Sequence, residues 1–380
     1  MAPNLFGNSA TLFLEASQQN VSQNKSVAEK IVTQQLSTQK IQNSQPKYKW
    51  KIVWRNVIVF AYLHLGAVYG LYILITAAKF YTILWSVIVV LLAGFGVTAG
   101  AHRLWAHRAY KAKWPMRVIL MLLQTTAFQN HIYEWVRDHR VHHKYTDTDA
   151  DPHNANRGFF FSHIGWLLLR KHPDVISKGA MIDMSDLERD PVVVWQRRLY
   201  ILLVPIFCFV LPTYIPIHYW NEKPMYAWYA AVFKYTLQLN ITWLVNSAAH
   251  IWGMKPYDNT ISPTDSLTVG IPAFGEGWHN YHHVFPWDYK AAELGNYRTN
   301  LTCGFIDFFA WLGWAYDLRT VNHNLIKKRA ARTGDGSLYE RTDDRNSEHH
   351  HTQDKIIWGW DDADMSLEDK QTAEILNKND

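Results

Sequence analysis

Cysteine is scarce: Cys208 and Cys303 are the chain's two, far apart in sequence. That excludes a disulfide framework and a thiolate zinc site, and points to a reducing compartment. An excess of one charge is lacking as well. Against 38 Lys and Arg stand 33 Asp and Glu, a net charge of +5, and no basic patch forms. Nucleic acid is therefore not an expected partner, whereas membrane lipid or an anionic small molecule is. No charged start followed by an apolar core and a small-residue cleavage site opens the chain, so no secretory leader is expected.

What the chain has is apolar and aromatic surface. Hydrophobic residues make up 48% and aromatics 14%, with 18 tryptophans, a composition suited to a bilayer with rings at its interfaces. Residues 57–78 and 80–101 are free of Asp, Glu, Lys and Arg, and Lys79 alone separates them, so two spans joined as a tight hairpin are predicted. A second pair is predicted at 199–217, interrupted by Pro205, Pro212 and Pro216, and at 225–245, which carries Lys234. Lys47, Lys49, Lys51 and Arg55 precede the first span and Arg103, Arg108, Lys111 and Lys113 follow the second, which places both termini in the cytosol. The expected fold is an all-α integral membrane protein: four transmembrane helices carrying a cytosolic helical domain, built from 102–198 and 246–336. Residues 1–47 read as a disordered cytosolic tail and 337–380 as a polar one, mostly solvated apart from the apolar stretch Ile356–Trp360.

Histidine is the concentrated residue, at 19 in all. His102 and His107 leave the second span, His139, His142 and His143 form one run, His279, His282 and His283 another, and His250 follows the fourth span. Residues three and four apart share a helix face, so each run can aim its rings at one place. An even number of crossings puts all nine on one side of the membrane. Nine imidazole nitrogens are too many for one ion and suit two. The three runs themselves, His102–His107, His139–His143 and His279–His283, contain no glutamate and so do not have the form of the paired Glu-x-x-His helices of soluble di-iron carboxylate sites, which leaves an all-nitrogen membrane type. A lone histidine such as His64, His218 or His323 reads as an ordinary interfacial or core residue. The run His349–His351 reads as part of a disordered tail.

Five stretches carry a resemblance: GAHRLWAHRAYKA from Gly100, WVRDHRVHHKYTDTDADPHN from Trp135, RGFFFSHIGWLL from Arg157, NITWLVNSAAH from Asn240 and GEGWHNYHHVFPWDY from Gly275. Together they resemble the membrane-bound acyl-CoA desaturases, most closely the stearoyl-CoA (delta-9) type, over residues 51–336. The resemblance implies that the nine histidines ligate two ferrous ions, with Asn246 holding a water on one of them. It implies a coenzyme A head group near Arg137, Asp138, Arg170 and Lys171, with Asn130 and Asn56 as further contacts. Gln129, Trp135 and Thr242 would shape the bend of an apolar acyl tunnel, and Val90 and Gly94 would close it. Both are small, so an eighteen-carbon chain is expected to fit.

The implied reaction is oxygen-dependent removal of two hydrogens from neighbouring methylenes of a saturated acyl-CoA, in the endoplasmic reticulum membrane. No HPGG haem motif is present, so electrons are expected from a separate cytochrome b5 and its NADH-dependent reductase, with no haem in this chain. Three other readings stand beside it, the first a desaturase of other regiospecificity such as delta-11. A hydroxylase of the same scaffold would differ in product, and a membrane receptor with structural zinc would hold four ligands and one metal.

Overall fold

A computed structural model describes residues 48–339 and 355–378; residues 1–47, read above as a disordered tail, and His349–His351 lie outside them. The first two apolar runs fold as predicted. Helix α1, Trp54–Thr76, spans about 34 Å at 1.5 Å per residue, and α2, Phe80–Phe95, continues through a π-helical segment, Gly96–Ala106. That segment packs tightly against α3, Trp114–Ala127. A Cβ on Gly96 would lie 2.2 Å from the Gln124 amide nitrogen, so only glycine permits the approach. The chain leaves α3 through Phe128 in the left-handed conformation and enters α4, Ile132–Lys144, whose first turn is capped by the His131 ring accepting from the Glu134 amide.

Pro191 begins the third long helix, capped by the Asp190 carboxylate accepting from the Val192 amide. This helix starts earlier than predicted and absorbs its prolines by changing pitch: α5, Pro191–Val204, passes through a π-helical segment, Pro205–Val210, into α6, Leu211–Trp220. The fourth predicted span lies within α7, Pro224–Ile251.

Among the described residues three helices are long and apolar enough to cross a membrane: Trp54–Thr76, Phe80–Ala106 and Pro191–Trp220. α7 has the length, at 28 residues, and lacks the apolarity. The reason is where its polar groups go. Lys234 donates to the Cys208 carbonyl at 3.2 Å, Thr236 to the Leu63 carbonyl at 3.2 Å, and the Asn240 amide lies 3.3 Å from His64 Nε2. A helix enclosed by its neighbours answers its polar side chains with protein, and does not need an apolar surface all round.

Two short antiparallel strand pairs depart from the all-helical expectation: β1, Lys111–Ala112, with β2, Ala315–Tyr316, and β3, Leu318–Thr320, with β4, Glu374–Leu376. β4 belongs to the stretch read as a solvated tail. Residues 355–378 are mostly exposed, as expected, but dock through Ile357, Trp358, Asp362 and Met365, which are buried. One acidic residue there is bound rather than hydrated: the buried Asp362 lies 2.9 Å from Lys144, which also reaches the more exposed Asp364 at 2.8 Å.

Candidate metal centre and its cavities

All nine predicted histidines converge, from four places in the chain. The π-helical segment supplies His102 and ends at His107, α4 supplies His139, His142 and His143, and the end of α7 supplies His250. Helix α8, His279–Val284, supplies the remainder from its three-and-four spacing. They divide into two groups, each with its ligand nitrogens within 4.8 Å of one another: five rings, His102, His107, His139, His143 and His282, and four, His142, His250, His279 and His283.

The spacing of the nitrogens tests what they can hold. In the first group His107 and His139 Nε2 lie 2.9 Å apart, His102 and His282 3.0 Å, and His143 and His282 3.1 Å. In the second the distances are 3.0 Å for His250 and His279 and 3.1 Å for His279 and His283. Imidazole nitrogens held at about 2.1 Å from one ion lie about 3.0 Å apart at right angles and about 3.4 Å apart in a tetrahedron. The observed edges are those of nitrogens that can share one ion, and the five nitrogens of the first group exceed the four that a tetrahedral zinc site takes. His142 Nε2 is buried with no hydrogen-bond partner, as a ligand atom facing an ion would be.

Protonation favours ligation. Burial first, and neighbouring imidazoles second, hold His107, His139, His143, His279, His282 and His283 well below the usual histidine range, so these rings are neutral. His142 differs: burial lowers it, but the Asp151 carboxylate outweighs burial and raises it.

Sequence reasoning missed the groups behind the ligands. His142 Nδ1 donates to both Asp151 oxygens at 2.9 Å, His102 Nδ1 lies 2.9 Å from Glu276 Oε2, and His250 Nδ1 3.4 Å from Asp147 Oδ2. Such partners fix the tautomer and the ring plane of a ligand. Glu276 is itself held by Arg103, whose Nε and Nη2 donate to it at 3.0 and 2.8 Å. Asp151 and Glu276 stand inside the histidine-bearing stretches, yet nothing in spacing pairs residue 102 with residue 276. Only the fold does.

A cavity of about 650 Å³ reaches this centre at His139 and Asn246. Of the predicted substrate residues it is lined by Asn56, Gln129, Asn130, Trp135, Asp138 and Thr242. A second cavity of about 480 Å³ is lined by Arg137, Asp138 and Lys171, so Asp138 borders both. The cations there are partly neutralised: Arg137 donates to Asp138 at 2.9 Å, and Lys171 pairs with Glu134 at 3.2 Å and with Asp138. Arg170 lines a neighbouring crevice with Trp50, His172 and Arg157, which shares Lys171 with the second cavity. Val90 and Gly94 line neither cavity; a Cβ on Gly94 would meet the Phe274 ring at 2.0 Å.

Comparison with known proteins agrees with this architecture. The family model for fatty acid desaturases matches residues 81–293. The chain is 60% identical to the "Acyl-CoA Delta-9 desaturase" of Acheta domesticus, over 86% of this chain and 87% of that protein. It is 53% identical to the "Acyl-CoA Delta(11) desaturase" of Trichoplusia ni, over 86% and 89%. With the "Stearoyl-CoA desaturase" of Sus scrofa it shares 54% over 77% of this chain and 81% of that one. Nine histidines gathered at bonding distance, a cavity that reaches them and this degree of identity lead to one conclusion: the chain belongs to the fatty acid desaturase family and is an oxidoreductase of its acyl-CoA desaturase branch.

Proposed function

We propose that this enzyme inserts a cis double bond at the delta-9 position of a saturated acyl-CoA such as stearoyl-CoA or palmitoyl-CoA. The single observation that carries the reading is the cavity that meets His139 and Asn246 beside two groups of imidazoles, each with nitrogens spaced to share one ion. Iron suits such nitrogen sets, the five-histidine group holding one ion and the four-histidine group the other, with Asn246 holding a water on the second. Bound there, two ferrous ions supply the oxygen-dependent oxidation that an unactivated methylene pair requires.

The chain's own residues supply position. The 480 Å³ cavity takes the coenzyme A head group, with Arg137 and Lys171 toward its phosphates and Arg170 nearby. The 650 Å³ cavity takes the acyl chain, with Asn56 and Asn130 toward its mouth and Gln129, Trp135 and Thr242 at the bend. Fixing one carbon pair beside the metal centre makes a flexible chain react at one place, and the apolar wall keeps water out. α7 is the fourth span, with its polar side turned to protein, and four spans put both tails and the nine histidines on the cytosolic face of the endoplasmic reticulum. Electrons come from cytochrome b5 and its NADH-dependent reductase.

The second reading is delta-11 desaturation, favoured by the delta-11 relative at 53% identity. Expression in yeast lacking its own desaturase, with double-bond positions read from the fatty acids, separates the two. A delta-9 product supports the first reading, a delta-11 product replaces it, and a hydroxylated product removes both.

A further inference from the structure

His107 is anchored from the far end of the chain. Its Nδ1 donates to the Trp358 carbonyl at 2.5 Å, and its own carbonyl accepts from the Trp360 amide at 2.9 Å. A ring that donates through Nδ1 presents an unprotonated Nε2, and the plane of the ring is set by that bond. The Nε2 so presented stands 2.9 Å from His139 Nε2, inside the five-histidine group.

Several independent contacts place that carbonyl. Gly359 has φ of +156°, and a Cβ there would lie 2.5 Å from the His107 carbonyl oxygen, so glycine alone lets the two backbones meet. The Trp358 ring lies under the Arg140 guanidinium at 4.0 Å and near that of Arg108 at 5.0 Å. The Asp362 carboxylate accepts from the Trp358 amide at 2.8 Å and pairs with Lys144 at 2.9 Å, and Lys144 also donates to the Ile356 carbonyl at 2.9 Å. Arg140 and Lys144 sit on α4, the helix that carries His139, His142 and His143. The pairing of β4 with β3 secures the other end. No comparable bond joins residues 355–378 to a ligand of the four-histidine group among the described residues.

On the metal reading above, on which this inference rests, we propose that residues 355–378 are a strap belonging to the five-histidine site, with the Trp358 carbonyl positioning His107. That site holds its ion only with the strap docked, and the four-histidine site holds its ion without it.

Iron content tests this directly. Four proteins are purified in detergent and loaded anaerobically with ferrous iron: the full chain, a chain ended after residue 354, and full chains bearing Gly359→Val or Lys144→Met. Iron per polypeptide is read by mass spectrometry and helicity by circular dichroism. The full chain is expected to hold two ions and the shortened chain one, at unchanged helicity, and a synthetic peptide of residues 355–378 restores the second ion. Gly359→Val, which wedges the strap off the His107 backbone, also leaves one ion, and Lys144→Met weakens binding of one ion of the two. Two ions retained by the shortened chain, or no restoration by the peptide, overturn the proposal. Should the shortened chain lose its helicity, Gly359→Val decides, and two ions there overturn it. Fewer than two ions in the full chain would instead sink the two-metal reading, and the strap's role with it.

Discussion

Gln129 and Thr242 meet side chain to side chain across the cavity wall: the Gln129 amide donates to the Thr242 hydroxyl at 2.9 Å, while Trp135 Nε1 donates to Gln129 Oε1 at 3.4 Å. The three residues thus form one hydrogen-bonded chain joining α7, the α3–α4 turn and α4, all of it lining the cavity beside His139.

Thr242→Val keeps the shape of that wall and deletes the acceptor. A half-buried amide left unpaired costs about 1–3 kcal/mol, and the bend it supports loosens. Turnover is expected to fall roughly tenfold, in line with about 1.4 kcal/mol per decade, with neighbouring double-bond positions appearing among the products. Gas chromatography of derivatised fatty acids from the yeast strain reads both, and a single unshifted product would count against the role of this chain of bonds.

Asp151→Asn tests the support behind His142. Burial would raise the Asp151 carboxyl, but His142 outweighs it and holds it at about 2, so the group is a full anion at any working pH. Losing such a partner typically lowers metal affinity 10–100-fold. The loss should fall on the four-histidine site, and competition with a chelator should show one ion of two released early while helicity is kept. Release of both ions together would contradict the assignment of His142 to that group.

Acid stability has a defined sign at Asp186. Burial acts to raise its pKa, but Arg140 and Arg108, donating at 2.7 and 2.9 Å, bring the folded value down to about 2. A carboxylate lowered on folding stabilises the protein above its unfolded value near 4. That contribution, about 2 kcal/mol, is lost as the pH falls through 4 toward 2. Asp186→Asn should lower the melting temperature at pH 7 and leave it little changed near pH 2; an equal loss at both pH values would show that packing, not charge, is at stake.

Gly94 marks a place where the family expectation and the packing part company. The residue was expected to close the acyl tunnel, and it faces Phe274 instead. Gly94→Ala is therefore expected to destabilise the protein by about 1–3 kcal/mol through overpacking, without shortening the preferred acyl chain. Thermal melting and chain-length analysis of the same preparation separate the two effects.

The two histidine groups were legible because histidine is rarely clustered, and because three-and-four spacing survives any arrangement of the helices around it. The apolar runs 57–78 and 80–101 were equally plain, since lipid demands unbroken apolarity. α7 was readable in extent but not in character: Lys234 donates to the Cys208 carbonyl, Thr236 also reaches the Leu63 carbonyl and Asn240 also meets the His64 ring, partners that no local window contains. The same limit hid Glu276 behind His102 and Trp358 behind His107, pairs brought together by folding across 174 and 251 residues of chain. Within residues 355–378 Asp362 was hidden for a related reason, because its carboxylate is buried against Lys144.

Asp138 borders both cavities, and the next residue along α4, His139, is a member of the five-histidine group. On the head-group and acyl-chain assignments proposed above, both ends of a bound substrate are then referred to one rigid helix. An enzyme gauged in this way would count carbons from the carboxyl end, and lengthening the substrate would add methylenes beyond the new double bond without moving it.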